Sequence, residues 1–149
     1  MGPQTPLESV SCAGLDTSAF IYLLEGHGNR GGTAVDLFAA LRQAVKVTSI
    51  VTAVEVLTFC QTPDRADLAA MYRLYLSSAK RIRVLDVNWP IAEKAASLRA
   101  RYSLRTPDAI QVATAITAGA ELFITNDRKL ARISEIGVLV FDDWEKDGR

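Results

Sequence analysis

The sequence predicts an α/β fold in which one mostly parallel central sheet carries helices on both faces. Three observations lead there. Short apolar runs recur along the chain, helical periodicity fills most gaps between them, and 149 residues leave room for one domain. Strands are expected at 10–15, 45–48, 82–87, 121–125 and 137–141. The first is the poorest in strand-forming residues, since Ser11, Cys12, Ala13 and Gly14 all favour other conformations. After it, TSAFIYLLEG reads as a helix, and another is expected to start near Ser49. Leu68, Met71, Tyr72, Tyr75, Leu76 and Ala79 fall on one face of a helix at i, i+3, i+4, i+7, i+8 and i+11. Ile91, Ala95, Leu98 and Tyr102 repeat that arrangement, as do Ala109, Val112, Ala113, Ile116 and Ala120. Asn88 reads as an N-cap with Pro90 in the first turn, and Thr106 as an N-cap followed by Pro107 at the first helical position. The domain is expected to span 1–149, with a core of about 10–142 and terminal extensions at 1–9 and 143–149.

Composition narrows the class. At 49% hydrophobic and 23% charged residues the chain is rich enough in apolar side chains to fold rather than stay disordered. Its longest uncharged stretch runs only from Ala109 to Ala120, short of the ~20 residues a membrane span needs. The start, MGPQTPLESVSC, lacks a secretory pattern, and Pro6 stands where a myristoylation signal needs Ser or Thr. A soluble protein of the cytoplasm, without membrane association, is the expectation. Cys12 and Cys60 form no CxxC and read as buried structural thiols. His27, the single histidine, lies in the Gly-rich GHGNRGG and reads as a surface-loop residue, which leaves no His-paired zinc site. Lys plus Arg and Asp plus Glu each total 17, which argues against an extended nucleic-acid-binding surface. That balance is compatible with an enzyme that touches a few phosphates beside an acidic site.

In a parallel sheet of this kind, reactive groups gather at the carboxyl ends of the strands. Four acids are placed there. Asp16 follows the first strand and opens a helix. Glu55 lies about two turns into the helix that starts near Ser49. Asp108 is near the start of another helix, and Asp127 comes just past the strand ending at Thr125. Helical side chains lean toward the N-terminus, so Glu55 points back at the same edge. Four carboxylates that close cannot all stay ionised without a counter-charge, and oxygen-only ligands favour Mg²⁺ or Mn²⁺ over zinc. A cation of that type lowers the pKa of a coordinated water and offsets charge on a phosphoryl group, which suits phosphodiester hydrolysis. Taken one at a time, each acid is equally an ordinary helix-start residue.

The runs LDTSAFIYLLEG, TSIVTAVEVL and LRTPDAIQVATAITAGAELFITNDRKL, in that order, resemble the PIN-domain ribonucleases. The likeness is closest to the toxin component of VapBC-type toxin–antitoxin pairs, and it extends from Leu15 to about Phe141. The resemblance implies a PIN-like fold and a metal-dependent endoribonuclease using Mg²⁺ or Mn²⁺. It maps the family's acids onto Asp16, Glu55, Asp108 and Asp127, with Asp16 and Asp108 as main ligands. Thr17 and Thr125 match positions where a hydroxyl supports the site. It further implies an RNA substrate, a homodimer, and a cognate antitoxin whose C-terminal segment crosses the groove. Leu23, Leu24, Val56, Leu57 and Phe59 are candidates to line that groove, or else belong to the core.

Basic residues form three groups: Lys80, Arg81 and Arg83; Arg99, Arg101 and Arg105; and Arg128, Lys129 and Arg132. Arg128 and Lys129, next to Asp127, are the expected RNA contacts, although cations near helix ends are also ordinary dipole partners. Competing folds fit less well. A phosphoacceptor receiver domain needs an adjacent acidic pair and a late Lys-Pro. A haloacid-dehalogenase-like phosphatase needs D-x-D, and a dinucleotide-binding domain needs G-x-G-x-x-G after the first strand. The remaining alternative is a PIN-fold scaffold that works by binding protein.

Overall fold

The apolar runs become five strands of one sheet: β1 (Cys12–Leu15), β2 (Val45–Ser49), β3 (Ile82–Leu85), β4 (Leu122–Thr125) and β5 (Gly137–Val140). The structure, a computed structural model, describes residues 6–144, so the outer parts of the expected extensions at 1–9 and 143–149 lie outside the described residues. All strand pairs are parallel, in the order β3-β2-β1-β4-β5. Among the described residues six helices lie between them: α1 (Thr17–Glu25), α2 (Asn29–Ala40), α3 (Ile50–Thr58), α4 (Ala66–Ser78), α5 (Trp89–Tyr102) and α6 (Thr106–Thr117). The doubly wound α/β arrangement expected from the sequence is therefore present. No helix among the described residues is long and apolar enough to cross a membrane.

Strand side chains alternate between the two faces, and the core divides accordingly. Ala13, Leu15 and Ile124 join the cluster built with α1 to α4, where Phe20, Leu37, Val56 and Tyr72 are buried. Phe123 joins the opposite cluster with α5 and α6, around Ile91, Leu98, Val112 and Ala113. The low strand propensity of β1 has a packing reason. β1 is the central strand, and α6 lies directly on it. A Cβ at Gly14 would sit 2.3 Å from the Ala115 Cβ, so the strand is built from small residues to admit the helix. Burial on both faces outweighs the residues' own preferences.

Several boundaries differ from the sequence expectation. β1 starts at Cys12 rather than Val10, because the Ser11 amide donates to the Glu121 carboxylate instead of to a neighbouring strand, at 2.8 Å. β3 stops at Leu85, where the chain turns into the Asn88 cap; Asn88 accepts from the Ile91 amide at 3.0 Å, as its sequence position implies. The cap of α6 is Arg105, not Thr106: Arg105 already holds the extended cap conformation, and its carbonyl accepts from the Ala109 amide at 3.0 Å. Pro107 and Asp108 are therefore the second and third helical residues. On α4, Ala69, Tyr72 and Leu76 are buried while Met71 is 39% exposed, a narrower stripe than the periodicity implied.

The helix α2 is absent from the sequence reading. Its first turn contains Arg30, Gly31 and Gly32 of the Gly-rich GHGNRGG, a stretch in which His27 alone is read, as a surface-loop residue. Two glycines explain it. Gly26 ends α1 at φ 94°, a conformation that side chains disfavour, and a Cβ at Gly31 would meet the Gly26 carbonyl at 2.6 Å, so the backbones of the two helices approach too closely there for any residue but glycine. His27 itself is exposed on that turn. Cys60 is buried as expected, but Cys12, at the open start of β1, is only half-buried.

Candidate acid site at the carboxyl edge of the sheet

From β1 the chain moves outward through β2 to β3, then returns past β1 to form β4 and β5. The strand order thus reverses between β1 and β4, and a crevice opens beyond their carboxyl ends. Asp16, Glu55, Asp108 and Asp127 all line this cleft, whose volume is about 490 Å³. Ser18, Tyr22, Phe59, Arg105, Gln111 and Asn126 also contribute to its walls.

Asp16 is the N-cap of α1. Its carboxylate accepts from the Ser18 amide at 3.0 Å and from the Ser18 hydroxyl, and its second oxygen accepts from Thr125 Oγ1. Its own amide donates to the Ile124 carbonyl at 3.1 Å, which ties the end of β1 to β4. Burial pushes the Asp16 carboxyl from an ordinary 3.8 up to about 6; the hydrogen bonds from Ser18 and Thr125 oppose the rise, and the charge on Glu55 adds to it. Asp127 lies across the crevice, capping a short 3₁₀ turn through the Lys129 amide at 3.0 Å. Thr125 couples the two acids, because its hydroxyl also accepts from the Asp127 amide at 3.0 Å. A hydroxyl that both donates and accepts suits this position at a strand end.

Glu55 reaches the cleft from α3, and Asp108 from the first turn of α6, where a negative charge is favoured by the helix dipole. Beneath them lies a buried polar network. Gln111 Nε2 donates to Thr52 Oγ1 at 2.8 Å and reaches Thr17 Oγ1 at 3.4 Å, while its Oε1 faces the Ser49 amide at 3.4 Å. Thr48 and Thr52 share a hydrogen bond at 2.7 Å, and Thr48 also donates to the Leu15 carbonyl at 2.8 Å. These contacts join β1, β2, α1, α3 and α6, the elements that carry or adjoin Asp16, Glu55 and Asp108. Thr17 itself lines the cleft, and its hydroxyl lies 3.4 Å from both Thr52 Oγ1 and Gln111 Nε2. The sequence reading missed Gln111, Thr48 and Thr52, whose signal was polar side chains within otherwise apolar runs.

The basic groups separate. Arg105 Nε donates to Asp108 Oδ2 at 3.1 Å, and the charges on Glu55 and Asp127 also favour its guanidinium. Its sequence neighbours turn elsewhere: Arg99 donates to the Leu104 carbonyl at 3.0 Å, and Arg101 pairs with Glu135. Arg128 does not face the acids, since it is held by Asp143 through two hydrogen bonds of 2.9 and 2.7 Å. Lys129 remains exposed beside Asp127. Of the expected groove residues, Phe59 lines the cleft at 62% exposure, but Val56 is core at 1%, and Leu23, Leu24 and Leu57 pack against that core. Val56 faces the sheet because it is one residue from Glu55 on α3, about a quarter-turn around the helix.

Among the described residues, no three or more His, Cys, Asp or Glu side chains converge closely enough to hold a metal ion as they stand. The donor chemistry nonetheless suits a hard divalent cation. The cleft offers four carboxylates and neutral oxygens but neither imidazole nor thiolate. The raised Asp16 pKa is what a buried carboxylate lacking a counter-charge displays.

The PIN domain family matches residues 14–136 of this chain. None of the curated proteins compared with it matches. Among solved structures it is similar to a toxin–antitoxin complex from Klebsiella pneumoniae, with 25% identity, 88% of this chain and 97% of that chain covered, and a TM-score of 0.65. It is also similar to the DNA-bound VapBC from Salmonella typhimurium, with 19% identity, 89% and 98% covered, and a TM-score of 0.71. FitAcB from Neisseria gonorrhoeae has 17% identity, 89% and 99% covered, and a TM-score of 0.68.

Proposed function

The chain belongs to the PIN-domain family, and from that premise we propose that it is a divalent-cation-dependent endoribonuclease acting as the toxin of a toxin–antitoxin pair. One observation carries the reading: four carboxylates from four separate elements line a single cleft, one of them buried enough to titrate near pH 6. Asp16, Glu55, Asp108 and Asp127 would hold Mg²⁺ or Mn²⁺, with Asp16 and Asp108 as the main ligands. Such a cation, when bound, supplies a more acidic water and offsets charge on phosphate oxygens.

The remaining work falls to the chain itself. Ser18 and Thr125 fix the orientation of the Asp16 carboxylate, and Thr125 sets its spacing from Asp127 through the amide it accepts. The Gln111–Thr52 bond holds α6 against α3, so Asp108 and Glu55 keep their relative positions. Lys129, exposed beside Asp127, would meet an RNA phosphate, and Phe59, exposed at the cleft, would offer an apolar face for a base or a partner side chain. The complexes similar to this chain pair a toxin with an antitoxin, which supports a cognate antitoxin partner; that this partner covers the cleft is part of the proposal. Assembly as a homodimer in the cytoplasm belongs to the same reading.

The experiment is cleavage of total cellular RNA by the purified chain with Mg²⁺ or Mn²⁺ and then with EDTA, beside a matched Asp108→Asn preparation. Discrete fragments that need the cation and fall at least ~100-fold in the variant support the enzyme. Equal cleavage by both proteins assigns the activity to contamination. Among the described residues no three acids converge as they stand, and that spacing favours a second reading, a PIN-fold scaffold that works by protein binding. A scaffold leaves RNA intact under every condition.

A further inference from the structure

Arg105 occupies a position that helix physics disfavours. It is the N-cap of α6, yet it offers no acceptor for the free amides of the first turn and makes no side-chain cap. It also places a cation at the positive end of the helix dipole. The acids across the cleft compensate. Its Nε donates to Asp108 Oδ2 at 3.1 Å, and Glu55 and Asp127 add their charges. This hold is loose compared with the bidentate forks of Arg30 on Asp142, at 3.0 and 2.7 Å, and of Arg128 on Asp143. The Arg105 side chain is 79% exposed, so the guanidinium is free to swing. While Asp108 accepts from Arg105, no three acids of the described residues converge on one point.

We propose that Arg105 is the resident counter-ion of the cleft: it occupies Asp108 until a divalent cation takes that carboxylate, and is then released to a phosphate of the RNA. The inference rests on the nuclease reading above and adds an order of events to it. One guanidinium serves two charge states, balancing the acids when the cation is absent and balancing substrate when it is present. An empty cleft is thereby spared the repulsion of unscreened carboxylates.

The test titrates Mn²⁺ by calorimetry into the full chain stripped with EDTA, using wild type, Arg105→Gln, Arg105→Lys and Asp108→Asn, each checked for cooperative thermal unfolding. Arg105→Gln is expected to bind Mn²⁺ about 2- to 5-fold tighter, the range set by loss of one exposed ion pair. Arg105→Lys keeps the charge and stays within about 2-fold of wild type. A mixed-sequence, phosphorothioate-linked 20-nucleotide RNA, followed by fluorescence anisotropy against salt, reads the second state. With Mn²⁺ present, Arg105→Gln should show a log–log salt slope shallower by about 0.7; without Mn²⁺ the two proteins should match. Mn²⁺ affinity unchanged or weakened in Arg105→Gln overturns the inference, as does a slope difference that is absent or independent of Mn²⁺. A wild type that binds neither Mn²⁺ nor RNA overturns the nuclease reading instead.

Discussion

Replacing Asp16 by Asn should stabilise the cation-free protein at neutral pH, although it removes a ligand of the proposed site. Burial raises the Asp16 carboxyl from 3.8 to about 6, a value already net of the hydrogen bonds from Ser18 and Thr125. At 1.36 kcal/mol per pKa unit, that rise corresponds to about 3 kcal/mol. Because the folded-state pKa is the higher one, the favourable share of stability is complete below pH 3.8 and lost as pH rises through about 6. Asparagine has no charge to bury and caps a helix as well as aspartate does, so the Ser18 amide keeps its acceptor. Denaturant melts in EDTA should therefore show Asp16→Asn more stable by up to about 3 kcal/mol at pH 8, with the gap closing toward pH 4. For a chain of this length the same gap is roughly 6–12 °C in Tm. Mn²⁺ should narrow it, since a cation stabilises by mass action the protein that binds it better. An Asp16→Asn protein no more stable than wild type at pH 8, or a gap that does not change with pH, would refute the reasoning.

Two further substitutions probe the frame around the site. Gly14→Ala drives a methyl to 2.3 Å from the Ala115 Cβ, which is fixed to the α6 backbone and cannot turn aside; the expected loss is about 1–3 kcal/mol by denaturant melt, with Mn²⁺ affinity falling as α6 and Asp108 shift. Gln111→Leu removes the partner of Thr52 and Thr17 inside the core, so unfolding should become easier by about 1–3 kcal/mol while exposed controls such as Lys129→Gln stay within about 0.5 kcal/mol.

The sequence by itself determined the α/β class, five strands in their chain order, and the four acids at one edge. Each of these depends on local pattern: apolar runs of strand length, a 3.6-residue helical period, and a strand end followed by an acid. The Asn88 cap was legible for the same reason, since its side chain bonds an amide three residues on, whereas the cap of α6 lies one residue before the one the sequence suggested. What depends on how segments pack against one another in space was decided only by tertiary structure. α2 was hidden in a Gly-rich stretch until Gly31 packs on Gly26. β1 looked weak until α6 was laid across Gly14. Arg128 and Arg105 could not be told apart by position along the chain. Asp143 took one and Asp108 the other, and which cation faces the acids follows from where those carboxylates lie in space. Thr48, Thr52 and Gln111 are likewise 4 to 63 residues apart in their contacts, and only burial in a shared interior obliges them to find one another.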